Sequence, residues 1–240
     1  MDKQSLISIV NKYYLDGIGE KVKWNVKDNQ VTIKTFSATK DMVGIVTAPL
    51  EFPDSEFLIF DTSKFIKLVG ICGQFLTMDI HYDGNVATKL LIADNDYNLE
   101  YALAALMLAP NINFTVEEFE SNYSFSITEE FINKWLKARK ALSSAYCAVK
   151  QTTTDLGPVI EFTLGELEGH SNKVTFIETP SSQDGSEPTL LRFNAEYLKS
   201  IFDANYGSKG TMHVNNDGAM KLDFESEDGQ KSSYIVLSKV

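Results

Sequence analysis

The sequence predicts an α+β protein of two similar domains, each a duplicated unit of one short amphipathic helix followed by three or more strands. Three observations carry this. The segment Phe57 to Val69 lies over Leu190 to Phe202 at an offset of 133, which pairs Phe60 with Phe193, Asp61 with Asn194, Phe65 with Leu198, Leu68 with Ile201 and Val69 with Phe202. One residue further in offset, Asp83-Gly84 meets Asp217-Gly218, each a hairpin signal between alternating runs. A quarter-chain pattern runs inside that repeat: an apolar residue, two others, then two apolar residues recur at Leu6, Ile9 and Val10, at Phe65, Leu68 and Val69, at Ile132, Trp135 and Leu136, and at Leu198, Ile201 and Phe202.

That spacing puts the apolar residues on one face of a helix, so each quarter opens with a helix that presses one side on a core. Asp61, Thr128 and Asn194 stand just ahead of three of these helices as N-caps, because their short side chains can accept from first-turn N–H groups. Strands follow each helix, with β-branched residues alternating against polar ones. The first quarter gives 22–26, a turn at Asp28-Asn29, then 30–36 and 42–48. The second gives 75–82, 86–92 and 99–106, the third 146–152, 159–167 and 173–178, and the fourth 211–215, 220–225 and 232–237. Two stretches fall outside the repeat. Residues 110–121, rich in Pro, Asn and acidic side chains, read as a linker between a first domain at 1–109 and a second at 122–240, and Thr179 to Pro188 reads as a polar loop.

The 240 residues are 43% apolar, which suits a packed core and excludes intrinsic disorder. No apolar run approaches the roughly 20 residues needed to span a bilayer, and the opening Met1-Asp2-Lys3-Gln4 leads into an amphipathic stretch, so the expectation is a soluble, cytoplasmic chain without membrane contact. Cys72 and Cys147 lie in apolar runs with no partner at metal-ligand spacing and read as buried thiols of a reducing compartment. No catalytic constellation emerges. His81, His170 and His213 are scattered, and Gly165-Glu-Leu-Glu-Gly169 lacks the Lys and Ser/Thr of a phosphate loop. The expectation is a protein that is not an enzyme and takes no metal or cofactor. Clustered carboxylates such as Asp223 and Glu225 leave a metal-dependent nuclease open as a remote alternative.

The 22 Lys and Arg stand against 33 Asp and Glu, a formal net charge of −11, which argues against nucleic-acid binding through the whole surface. The charge is unevenly placed. The four helical segments carry +1, +1, +2 and −1, together +3, which leaves −14 for the rest. Lys12, Lys64, Lys67, Lys134, Lys137 and Lys140 point away from the apolar stripes, and basic faces at equivalent repeat positions suggest one common phosphate-facing surface.

In pattern, nearly the whole chain resembles the sliding clamps, the processivity factors of DNA polymerases. The block Phe60 to Val69 with Leu76 to Ile80 and Asp83 to Asn85 is similar to the second helix and following hairpin of such clamps, and Phe193 to Phe202, Asp217-Gly218 and Tyr234 to Lys239 resemble their last quarter. The local likeness is closest to clamps of T4-like bacteriophages, and the architecture resembles that of the eukaryotic and archaeal proliferating-cell clamp. The resemblance implies a ring of six such domains, hence a homotrimer, with helices inside and sheets outside, encircling double-stranded DNA without regard to sequence and serving a DNA polymerase and a clamp loader ATPase. On it, Lys12, Lys64, Lys67, Lys134, Lys137, Arg139 and Lys140 face DNA, with Lys3 and Lys199 as further candidates; the fourth helix departs from the pattern, since Glu196 and Asp203 flank Lys199. Subunits would join by pairing 99–106, with Tyr101 and Leu103, to 173–178, with Val174 and Phe176. Client peptides would enter a pocket between the domains formed by Phe36, Met42, Leu108, Pro110, Ile112, Phe114, Val236, Leu237 and Ser238. The competing reading from a different class is an acidic monomeric scaffold that binds proteins and makes no DNA contact.

Overall fold

A computed structural model describes residues 1–111, 114, 119–155, 157–166, 171–185 and 189–239. The chain forms two compact units, one of Met1–Phe114 with Asp228–Ser232 and the other of Thr115–Glu227 with Ser233–Val240. The first unit runs α1 (Lys3–Tyr14), β1 (Val22–Lys27), β2 (Gln30–Phe36), β3 (Met42–Pro49), β4 (Ser55–Ile59), α2 (Thr62–Ile71), β5 (Thr77–Asp83), β6 (Val86–Ala93) and β7 (Asn98–Ala102). Its strands form two antiparallel sheets, in the orders β4-β1-β2-β3 and β5-β6-β7.

The second unit repeats the plan: β8 (Tyr123–Ile127), α3 (Glu129–Leu142), β9 (Tyr146–Thr154), β10 (Gly157–Gly165), β11 (Lys173–Glu178), β12 (Ser182–Gln183), β13 (Leu191–Asn194), α4 (Ala195–Ala204), β14 (Lys209–Asn215), β15 (Ala219–Glu225) and β16 (Lys231–Leu237). Its sheets have the orders β11-β10-β9-β13 and β12-β8-β14-β15-β16. This is the α+β arrangement of duplicated helix-plus-strands units that the repeat predicts.

The helices start where their caps put them. Asp61 accepts from the Lys64 N–H at 2.8 Å, Thr128 from Phe131 at 3.1 Å, and Asn194 from Glu196 at 2.9 Å. Asp2 caps α1 in the same way through Ser5, at 3.0 Å. Each cap satisfies first-turn donors that have no partner inside the helix. Downstream, the apolar stripe of each helix is covered. Leu6, Ile9, Val10 and Tyr13 of α1 join Phe65 and Val69 of α2 against Trp24 and Ile33 of one sheet and Leu90, Ile92 and Tyr101 of the other. The second unit fills the equivalent space with an aromatic cluster, in which Phe131 lies 4.9 Å from Phe125, 5.1 Å from Phe162 and 5.8 Å from Phe202, and Trp135 lies 5.1 Å from Phe202. The edge-to-face angles suit the ring quadrupoles.

Four strands were not in the sequence reading. β4 and β13 are short runs that lead into a cap; β4 buries Phe57, Leu58 and Ile59 consecutively and so shows no alternation, while β13 alternates, with Leu191 and Phe193 buried and Arg192 exposed, over only four residues. β12 is a two-residue strand inside the expected polar loop. β8 does alternate, as Tyr123-Ser-Phe-Ser-Ile127, and only its nearness to the linker hid it. The expected strand 99–106 stops at Ala102 and gives way to a 3₁₀ turn at Leu106–Leu108. The Asp28-Asn29 turn holds both residues at positive φ, 52° and 57°, as a tight hairpin requires.

Two measurements test this packing. Replacing Thr128 by Ala is expected to lower stability in urea unfolding by about 1 kcal/mol, while Thr128→Ser keeps most of it. Cys72 and Cys147 are 3% and 0% exposed, and burial raises both thiols, Cys147 to about 12. Both should therefore resist a thiol reagent at pH 8 in the native chain and react on addition of denaturant.

Candidate nucleic-acid interface and partner surfaces

Each helix turns one face inward, which leaves the other to carry charge. On α2, Lys64 and Lys67 are exposed, three residues apart and so on one face; on α3, Lys137 and Lys140 are exposed with the same spacing. These four engage no ion pair within 4.0 Å among the described residues. Their neighbours in the sequence-based set have other partners. Lys134 lies 2.7 Å from Glu178 and 5.4 Å from the Phe176 ring centre, Arg139 is bonded to Glu196, and Lys199 is 3.0 Å from Asp203. Lys3 donates to the Cys72 carbonyl at 2.5 Å and to the Gly70 carbonyl at 3.5 Å, where a cation complements the negative end of α2.

Lys12 does not lie on an exposed face, contrary to the sequence expectation. It is 3% exposed. Residues Asp228–Ser232 belong to the same unit, and Gln230 accepts from Ser8 Oγ at 2.9 Å one helical turn away. Burial lowers the Lys12 amine below its ordinary value, and the charge of Asp228 works in the opposite direction. The exposed charges of α4 are Glu196 and Asp203, so this helix presents an acidic face.

The candidate client residues divide by burial. In the first unit, Leu108 is 58% exposed, Phe36 and Phe114 are half-buried, and Met42 is fully covered at 0%. Ile112 lies outside the described residues. Pro110 helps to line a groove of about 390 Å³ with Leu106, Ala109 and Asn111 above Lys23, Asn25, Thr32, Lys34 and Glu56 of the sheet. Lys34 was absent from the sequence reading. Its amine donates to the Phe114 carbonyl at 2.9 Å and lies 5.2 Å from that ring centre, a contact between residues 80 apart that no local pattern announces. In the second unit, Val236 is fully buried, Leu237 is 45% exposed, and the Ser238 N–H donates to the Gly218 carbonyl at 2.7 Å. Met42 and Val236 are therefore covered and offer no surface.

The strands expected at a subunit contact, β7 and β11, each end a sheet in the strand order of the described residues. Their side chains play mixed parts. Tyr101 turns inward, with its hydroxyl 2.9 Å from the Asp61 carbonyl and 3.2 Å from the Asp61 N–H, and Leu103, half-buried, donates its N–H to Thr88. Phe176 stacks on Phe162 at 5.5 Å, while Val174 and its neighbour Ile177 are exposed, the latter by 52%. Among the described residues no group of three or more His, Cys, Asp or Glu could hold a metal ion, and no helix is long and apolar enough to cross a membrane.

No protein-family model matches the sequence, and no curated protein matches it. Solved structures do. PCNA from Thermococcus kodakaraensis superposes with a TM-score of 0.75 at 12% identity, covering 100% of this chain and 98% of that one. A. fulgidus PCNA, solved with the C-terminal region of FEN-1 bound, gives 0.76 at 15% identity, with 100% and 97% covered. The PCNA2–PCNA3 complex of Sulfolobus tokodaii gives 0.76 at 9% identity with the same coverage. The chain has the DNA-clamp fold. These archaeal structures share that fold without distinguishing a T4-like phage clamp.

Because the Tyr101 hydroxyl bonds inside its own unit, Tyr101→Phe is expected to cost about 1 kcal/mol in chemical denaturation and to leave the oligomeric mass unchanged.

Proposed function

We propose that this chain is a replicative sliding clamp of the T4-like bacteriophage kind, which acts without a catalytic step. Three copies close into a ring around duplex DNA, a clamp loader ATPase opens that ring, and a docked DNA polymerase is held to its template. The observation that carries the reading is the DNA-clamp fold with Lys64, Lys67, Lys137 and Lys140 exposed on two of its four helices, in a chain whose non-helical remainder carries −14. Such a distribution favours phosphate on one surface and repels it elsewhere, and non-directional lysine contacts permit movement along the duplex. Lys134, Arg139 and Lys199 take part only by exchanging their acidic partners for phosphate, and Lys12 takes no part.

In this reading, subunits join by pairing β7 with β11 of the next copy, which would satisfy two open sheet edges at once. Client peptides dock on the linker side of the first unit, around Phe36, Leu108, Pro110 and Phe114. The bound C-terminal region of FEN-1 on the A. fulgidus protein makes a polymerase C-terminal peptide the natural probe.

Mass photometry should give about three times 26.8 kDa, and a strict monomer at micromolar concentration would favour the protein-only scaffold instead. Lys67→Glu combined with Lys137→Glu should depress loading on DNA and flatten the salt dependence by about 0.9 in log–log slope per lost phosphate contact, with assembly unchanged. Lys12→Met should leave loading as it is. Unchanged processive synthesis by the double reversal at moderate salt would overturn the DNA-facing assignment. Phe114→Ala should weaken the polymerase peptide severalfold, and equal affinity with the ring intact would place the client site elsewhere.

A further inference from the structure

The second unit carries a neutral contact among the charges of its helices. α3 and α4 are tied together twice on their solvent side. At one end Arg139, in the last turn of α3, is bonded to Glu196 in the first turn of α4. At the other end the Asn133 side-chain amide donates to the hydroxyl oxygen of Tyr206, just past the end of α4, at 3.0 Å. Asn133, Lys137 and Lys140 stand at i, i+4 and i+7, so one stripe of α3 carries the amide and both exposed lysines. On α4, Glu196, Lys199, Asp203 and Tyr206 recur at i, i+3, i+7 and i+10. The charges of that helix are all engaged, Glu196 by Arg139 and Asp203 by Lys199 at 3.0 Å.

Tyr206 is held in place by its neighbours. Asn205 is fully buried, and its side chain donates to the Ile201 carbonyl at 2.8 Å and to the Tyr234 hydroxyl at 3.2 Å. Gly207 takes a φ of 83°, and the buried Ser208 N–H closes the turn on the Asn205 carbonyl at 3.0 Å. Between these anchors the Tyr206 side chain stays 51% exposed. At the offset of 133 that aligns α2 with α4, Gly73 stands in its place in the first unit. The half with two free lysines on its second helix has no such side chain, and the half whose second helix is charge-paired has one.

Hydrogen-bond chemistry gives the contact a direction. An amide nitrogen can only donate, so the Tyr206 oxygen accepts, and its own proton is left for an acceptor outside the chain. Tyrosine hydroxyls are among the neutral groups that bond the phosphates of a duplex. Glu129, exposed, one turn ahead of Asn133 and close to Gly207, repels phosphate from the start of the stripe, so an anionic acceptor reaches Tyr206 from the side of Lys137.

We propose, on the reading that the helix faces meet duplex DNA, that Tyr206 is a further DNA-contacting residue: oriented by Asn133, it donates to a backbone phosphate next to those held by Lys137 and Lys140. Through it the α4 side of the unit shares in the interface without a free cation. A neutral donor releases no counterion, which separates its effect from that of a lysine.

The test measures binding of a short linear duplex, whose open ends let it enter a closed ring without a loader, to the full 240-residue chain over a range of salt concentrations. Tyr206→Phe removes the hydroxyl alone. It should weaken binding about two- to tenfold at every salt concentration and leave the log–log slope unchanged, whereas Lys137→Gln should flatten that slope by about 0.9. Bound duplex should also shield the Tyr206 ring from iodination while Tyr97, 44% exposed between β6 and β7, reacts as it does without DNA. Wild-type affinity in Tyr206→Phe, an altered slope in that variant, or shielding of Tyr206 and Tyr97 alike would overturn the assignment. So would shielding by inorganic phosphate at matched ionic strength, which would give the hydroxyl to a small anion. If Lys67→Glu with Lys137→Glu abolishes duplex binding and Tyr206→Phe leaves it unchanged, the assignment falls and the clamp reading stands; if the unsubstituted chain binds no duplex, both fall.

Discussion

The position of the cap at the start of each helix is the constraint from which the rest follows. Asp2, Asp61, Thr128 and Asn194 each fix where their helix begins, and the residue four places on lies in the buried stripe: Leu6, Phe65, Ile132 and Leu198, all at or below 1% exposure. A helix that starts one residue early turns its stripe by about 100° and takes those side chains out of the core. Each such burial stabilises the fold by about 1.5–3 kcal/mol, more than a cap does, so the cap chooses the register and packing supplies most of the energy. Because burial is one-sided, the other face stays wet. Phosphate-facing chemistry, where this chain carries it, has only that face to use.

Sorting the lysines by position relative to the cap shows how far a helical wheel reaches. Lys67, Lys137 and Lys140 fall opposite the stripe, Lys64 falls on its flank, and all four are exposed. Lys12 falls within about 20° of Lys64 on such a wheel and is nevertheless buried, because residues Asp228–Ser232 of the first unit cover its side of α1. Arg139 and Lys134 are likewise diverted by acidic side chains that come from α4 and β11. The exposed ion pairs contribute little stability, roughly 0–1 kcal/mol each. Their effect is on which charges remain available.

Periodicity, repeats and caps are local signals, and what they govern was legible: four helices, three of their four caps, twelve strands and both kinds of hairpin. The fourth cap, Asp2, was within reach by the same rule. β4 was hidden because a strand buried on both sides loses its alternation, β13 because four residues are too few to establish a period, and β8, whose pattern is clean, because it directly follows the linker. The contact of Lys34 with Phe114 depends on tertiary placement of residues 80 apart, and the inward turn of Tyr101 depends on which face of β7 meets α2. Edge status cannot be read from a strand's own residues at all, since it is a property of what lies beside it.

Edges also explain why a duplicated chain is not symmetric. Duplication copies strands together with their unpaired sides, and each copied edge needs a partner, a cover or a charge. β14 has β8 as its partner, and β8 in turn has β12. β5 has the Met1–Leu76 pair and then charge, with Asp79 folded onto the Ile80 N–H and Asp83 at the far end. Met78, half-open where Met212 is sealed, is the side chain on which the two halves register that difference.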